Sequence, residues 1–150
     1  MAKFHYLARA VIFSGERVLL AHEIGAESTF LPGGHIGYGE PAKTALIREI
    51  KEETGVEVSV GRFLGAVEAT WHQGEELHSE INLIFEAFSS EITHEKLIMS
   101  TEDHLEFIWV ERMQVKSYNL LPETMQSLIE NLSDENHAFW GSMLGEEPPT

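Results

Sequence analysis

The 150-residue chain has no cysteine. That excludes disulfides, thiolate catalysis and thiolate-held zinc. Basic residues are also scarce. Ten lysines and arginines stand against 25 aspartates and glutamates, a formal net charge of −15 with the histidines neutral. Nucleic-acid binding rests on phosphate contacts and needs a basic patch. Here the basic residues are scattered, so nucleic acid is not an expected partner. Long apolar runs are missing too. The opening "MAKFHYLARAVIF" is too short and too interrupted to span a membrane or serve as a leader. No membrane partner is expected, and a cytoplasmic location follows by default. What remains is ordinary for a globular protein, 43% hydrophobic and 23% charged. No internal repeat or low-complexity linker is visible. One domain over residues 1–150 is expected, long enough to bury a core.

Hydrophobic periodicity points to an α/β domain. Residues 5–13 ("HYLARAVIF") read as a strand, Ser14-Gly15 as a turn and residues 17–22 as the return strand. Residues 56–71 carry one or two strands with a bend at Gly61 or Gly65. Further strands fall at 79–88, after a turn at Gln73–Glu76, and at 104–110. A helix runs from Pro41 to Thr54, with Pro41 at its first position and Gly55 just past its end. Pro122 opens a second helix to about Leu132, with Met125, Leu128, Ile129 and Leu132 as its apolar stripe. Strands around two helices suggest a mixed sheet between helices. The tail, about 133–150, has no basic residue and holds an apolar knot of Phe139, Trp140, Met143 and Leu144. Packing back on the domain is its first expected role; lining the pocket or a homodimer contact is the alternative. Residues 146–150 should be loose.

The first helix ends strangely. "REIKEETGV" (48–56) sets Glu49, Glu52 and Glu53 on one surface of the last turn. Like charges at this spacing repel, and the helix dipole there favours cations. A local rule broken without local compensation marks a candidate functional site. Upstream lies "LPGGHIGYGE" (31–40), a glycine-rich loop with exposed backbone groups and a further carboxylate, Glu40, at the helix entrance. A loop carbonyl with a carboxylate triad forms an all-oxygen cage for a hard cation such as Mg²⁺, with Mn²⁺ able to substitute. Mg²⁺ usually completes its shell with substrate phosphates, so a di- or triphosphate is the expected ligand. Arg48, four residues before Glu52, can hold that carboxylate with a forked hydrogen bond.

The stretch from Gly34 to Val56 resembles a complete Nudix box, G-x5-E-x7-R-E-U-x-E-E-x-G-U with U a bulky aliphatic. Gly34, Glu40, Arg48, Glu49, Ile50, Glu52, Glu53, Gly55 and Val56 fill its fixed positions. The flanks look alike as well, so the resemblance spans residues 3–132. It implies an α/β/α sandwich with a mixed sheet between helices. It also implies hydrolysis of a nucleoside diphosphate linked to another group. By the same resemblance Glu49, Glu52, Glu53 and the Gly33 carbonyl bind metal. Arg48 orients a box glutamate, and Glu40 supports the site or ligates occasionally. Glu52 is the first candidate for the general base, with Glu102, just before the last strand, as the distant alternative; Asp103 beside it reads as a solvated acid.

Specificity is less legible. Arg9 sits amid apolar neighbours and needs an anionic partner, either a phosphate or a carboxylate. His22, Trp71, His78 and Glu80 are the other candidate substrate contacts, with His72 flanking the same turn as His78. Trp71 can stack on a base, although a half-buried strand role is commoner. The proline that follows the box in ADP-ribose enzymes and the tyrosine of dinucleoside polyphosphate enzymes are both missing, since no proline lies between Pro41 and Pro122 and no tyrosine between Tyr38 and Tyr118. The absence of cysteine disfavours the isopentenyl diphosphate isomerase branch. The remaining default is a nucleoside triphosphate, plain or oxidised, cut to the monophosphate and pyrophosphate. A nucleotide-sugar or ADP-ribose pyrophosphatase and a non-catalytic nucleotide sensor are the alternatives.

Overall fold

A computed structural model describes residues 2–135 and 137–144. Its strands are β1 (Ala2–Val11), β2 (Phe13–Ser14), β3 (Arg17–Glu23), β4 (Thr29–Phe30), β5 (Gly33–His35), β6 (Ser59–Gln73), β7 (Glu76–Phe88), β8 (Leu105–Glu111) and β9 (Phe139–Ser142). The helices are α1 (Ala42–Thr54) and α2 (Thr124–Asn131), with a single 3-10 turn at Arg112–Gln114. A five-stranded mixed sheet has the order β5-β1-β7-β6-β9, with β1/β7 and β6/β9 parallel. In the second, antiparallel sheet β3 is flanked by β2, β4 and β8.

Alternation along the strands divides the core in two. In β3, Val18 and Leu20 turn toward α2, where they join Met125, Leu128 and Ile129. Leu19 turns the other way, to Ala45, Leu46 and Ile50 of α1. In β1, Ala8 and Ala10 face α1 while Val11 joins the α2 side. The mixed sheet between helices is the arrangement expected from the sequence. No helix among the described residues is long and apolar enough to cross a membrane.

Three expectations need correcting. Pro41 stands just outside α1, with extended backbone at φ −62° and ψ 139°; Ala42 opens the helix. Pro122 also precedes its helix, which starts at Thr124. The glycine loop is partly a strand. β5 pairs with β1 through Leu7–His35, Ala8–Gly34 and Arg9–Gly33, and Pro32 and Ile36 extend the ladder on either side. Glycine here permits close backbone approach rather than flexibility: a Cβ on Gly33, at φ +140°, would collide with the Ala8 carbonyl.

Residues 59–73 form one long strand whose register shifts on both sides of Phe63, just ahead of Gly65. The irregularity lets the tail dock. β9 pairs in parallel with residues 65–68, and the Phe139 backbone occupies the space a Cβ on Gly65 would need. Phe139 packs on the α2 core, while Trp140 stays exposed. Arg112 closes the far side of α2 by donating to the carbonyls of Ile129 and Leu132 at 2.9 and 2.6 Å, a cation where the helix has none of its own. The tail residues 146–150 lie outside the described residues. Gly65→Ala should destabilise the fold by about 2–3 kcal/mol, through strain at φ +149° and loss of β9 docking; urea unfolding measures it.

Candidate active site

The acidic end of α1 is organised by Arg48. Its Nε and Nη2 donate to the two oxygens of Glu40 at 2.9 and 2.8 Å. Nη1 donates to Glu49 at 3.0 Å and more weakly to Glu52 at 3.3 Å. Nη2 also reaches the His35 carbonyl at 3.0 Å. The fork expected on Glu52 therefore closes on Glu40. Glu40 is already fixed by the Gly37 N–H at 2.9 Å, whereas the Glu52 side chain is 58% exposed and has solvent as a competitor. Arg48 and the Gly37 N–H hold the Glu40 carboxyl at a pKa of about 2. Glu49 lies across Gly34, where a Cβ would overlap its carboxylate.

Glu53 is different in kind. It is only 8% exposed, and its Oε2 has no hydrogen-bond partner. Burial pushes its carboxyl up to about 8; Arg9 and the Gly33 N–H oppose the shift, and Glu49 and Glu102 add to it. The loop carrying Glu102 docks on the end of α1: the Thr101 N–H donates to the Glu53 carbonyl at 2.9 Å and its hydroxyl to the Glu52 carbonyl. Glu102 itself is exposed, 3.5 Å from His104 Nε2. Asp103 is exposed beside it.

A divalent cation fits this set on two observations. A buried carboxylate oxygen without a partner is costly unless something positive meets it. Gly33 supplies close backbone beside it, Gly34 lies against Glu49, and every donor is oxygen, as a hard cation requires. Among the described residues no three acidic or imidazole groups are gathered tightly enough to hold an ion as they stand, and Arg48 engages Glu49 and Glu52.

A cavity of about 340 Å³ opens on the other side of Arg9. Arg9 donates to Asn82 Oδ1 at 3.3 Å and to the Leu31 carbonyl at 3.1 Å, with its guanidinium over the Phe30 ring. Burial lowers its pKa, and Glu80, Glu53 and Glu49 pull it back up, so one cation feels both the cavity and the acidic cluster. Glu80 and Trp71 line the cavity with Phe30, Leu121, Pro122 and Met143. The Trp71 indole N–H donates to Glu80 at 2.9 Å.

Two expected contacts sit elsewhere. His22 shares hydrogen bonds with Glu106 and the Ala26 carbonyl, both at 2.7 Å, and does not line the cavity. Glu106, its in-register partner on β8, and the Ala26 carbonyl hold both ring nitrogens there. His78 is buried behind Trp71, its ring stacked on the indole at 3.9 Å. It shares a hydrogen bond with His5 at 2.7 Å, and His5 shares another with His35 at 2.8 Å. His78 Nε2 lies 2.9 Å from Glu76 without hydrogen-bond alignment. His78 thus supports Trp71 from behind. His72 is exposed. Asn82, fully buried, was not among the sequence candidates. A polar residue in the apolar run "INLIF" was the available signal.

The sequence model of the NUDIX domain matches residues 3–132. The chain belongs to the Nudix family, a class of hydrolases acting on phosphoric anhydride bonds. Solved structures agree on the fold. A MutT protein from Bacillus halodurans aligns with a TM-score of 0.70 at 16% identity, over 92% of this chain and 88% of that one. A MutT protein from Methanosarcina mazei Go1 gives 0.66 at 21%, over 86% and 92%. The dihydroneopterin triphosphate pyrophosphohydrolase of E. coli gives 0.64 at 20%, over 85% and 95%. A comparison with curated proteins found no match.

The buried Glu53 makes a stability prediction. The folded, metal-free chain keeps its proton up to about pH 8, while the unfolded chain loses it near 4.5. The folded state then binds more protons across that window, and metal-free stability falls as pH rises through it. Glu53→Gln should remove Glu53's part of the slope and gain on the order of 4 kcal/mol at pH 8, with no gain below pH 4.5. Urea melts in chelator at both pH values test this.

Proposed function

We propose that the chain is a divalent-metal-dependent pyrophosphohydrolase of nucleoside diphosphates linked to a further group, with a nucleoside triphosphate, plain or oxidised, as substrate. The products are the monophosphate and pyrophosphate. The observation that carries this reading is the unpartnered Glu53 oxygen, buried beside Gly33 and coupled to Arg9 at the mouth of the cavity. Gly33, Glu49, Glu52 and Glu53 would hold Mg²⁺, or Mn²⁺ in its place. When bound, the cation offsets charge on phosphate oxygens and acidifies water. Arg9 holds the nucleotide's phosphate end between cavity and cluster. Glu52, the most exposed of the triad, accepts the proton of the water that attacks phosphorus as the anhydride P–O bond breaks. Glu102 lies near enough to act on Glu53 electrostatically and is the alternative acceptor. The triphosphate in the name of the E. coli neighbour supports the choice of substrate.

The net charge of −15 makes the metal indispensable, since an anionic substrate must approach an anionic protein. The test is a panel of nucleoside triphosphates, 8-oxo-dGTP, ADP-ribose, nucleotide sugars and dinucleoside polyphosphates, assayed with and without Mg²⁺. Triphosphate turnover that needs the metal and is lost in Glu52→Gln is the expected result. Turnover confined to ADP-ribose or a nucleotide sugar would replace the substrate. Binding without turnover across the panel would mark a sensor. Arg48→Lys should keep the fold but weaken Mn²⁺ binding about 10–100-fold, because an ammonium cannot fork across Glu40 while touching Glu49; calorimetric titration reads this directly.

A further inference from the structure

We propose that Glu80 selects the base, accepting from two adjacent donors, so that the substrate carries a 2-amino-4-oxopyrimidine edge like that of guanine or a pterin. The proposal rests on the cavity being the nucleotide site.

Glu80 lines the cavity and is held at both carboxylate oxygens. Its Oε1 accepts from the Trp71 indole at 2.9 Å, and its Oε2 accepts from Asn82 Nδ2 at 2.5 Å. Asn82 is the buried anchor, and Trp71, 41% exposed, is held by its stack. Asn82 is fully buried, donates also to the Val67 carbonyl at 3.2 Å and accepts from Arg9 Nε. Trp71 lies flat on His78, at 10° between planes. Each Glu80 oxygen therefore has one protein partner. A carboxylate has room for about four hydrogen bonds, which leaves acceptor capacity on both oxygens. Around it the walls are largely apolar, with Phe30, Leu121, Pro122 and Met143, as a flat heterocycle requires.

A carboxylate only accepts, so the edge that meets it must donate at two neighbouring positions. Guanine and pterins do so, with a ring N–H beside an exocyclic amine. Adenine and cytosine set an amine beside a bare ring nitrogen, whose lone pair would face a carboxylate oxygen. Uracil and thymine offer one N–H between two carbonyls. Sites that leave such a group unpaired reject the wrong ligand strongly. Oxidation at C8 of guanine leaves this edge unchanged.

The experiment compares GTP, ITP, ATP, CTP and a pterin triphosphate as substrates of the full chain with Mg²⁺. ITP is the decisive partner, because it differs from GTP only in lacking the 2-amino group. In parallel, GMP and IMP are titrated in chelator against tryptophan fluorescence. GTP should exceed ITP by about 10–100-fold in kcat/KM, and GMP should bind more tightly than IMP by a similar factor. Glu80→Gln should collapse both ratios to within about threefold. Glu80→Asp should lower GTP turnover and keep the preference for GTP over ITP, which separates recognition from a folding defect. The GTP-to-pterin ratio identifies the source of the edge. ATP or CTP preferred by the native chain, or GTP and ITP weakened equally by Glu80→Gln, would overturn the proposal and leave the hydrolase reading intact. If nucleotide sugars alone are turned over, the triphosphate reading fails, and GDP- against ADP-sugars decides the base. If nothing is turned over, the GMP-to-IMP ratio decides it.

Discussion

One guanidinium holds the acidic site together. Arg48 donates to Glu40, Glu49, Glu52 and the His35 carbonyl, so it ties the helix entrance, the helix surface and β5 at one point. Without it, Glu49, Glu52 and Glu53 would crowd the end of a helix whose dipole already disfavours them, with Glu40 unpaired beside them. Its planar fork also fixes directions. Glu40 is drawn into the structure by two bonds from Arg48 and one from the Gly37 N–H, which pins the loop that carries Gly33 and Gly34.

Arg48 does not reach Glu53, and that division matters. Three box acids are paired and polarised, while the fourth is buried with a bare oxygen. The fold accepts a destabilised group where a cation would compensate it, and Arg9 compensates only in part. A well-packed apolar residue at this position would make a more stable metal-free protein. The cation proposed above would offset that cost.

Much of this was legible in the sequence because it is local. Helix α1, its glycine cap and the spacing of Glu49, Glu52 and Glu53 depend on residues within a few positions of each other. Long-range pairing was not legible. Nothing in "LPGGHIGYGE" says that Gly33–His35 is a strand, since that depends on Ala8 and Arg9 across the sheet. The four-residue β9 has no period of its own and exists because β6 offers an edge at Gly65–Glu68. His22 and His78 were equivalent on paper; tertiary packing gave one to Glu106 and the Ala26 carbonyl, and the other to the back of Trp71. The role of Asn82 is not legible along the chain, because its partners Arg9, Val67 and Glu80 meet it only through strand pairing.

The pairing of Arg9 with Gly33 is what joins the two halves of the site. On one side of β1, Arg9 reaches Asn82 and through it Glu80. On the other side of that same pair, Gly33 lies against Glu53. Side chains alternate along a strand, so a slip of one residue would turn Arg9 toward α1 and bring Ala8 or Ala10 to the cavity. Such a slip would also part Gly33 from its close approach to the Ala8 carbonyl, the contact that excludes every side chain but hydrogen there. Register is therefore a functional constraint as well as a folding one: the same alignment that buries Ala8 and Ala10 under α1 sets the distance between the base-reading carboxylate and the cluster proposed to cut the phosphate chain.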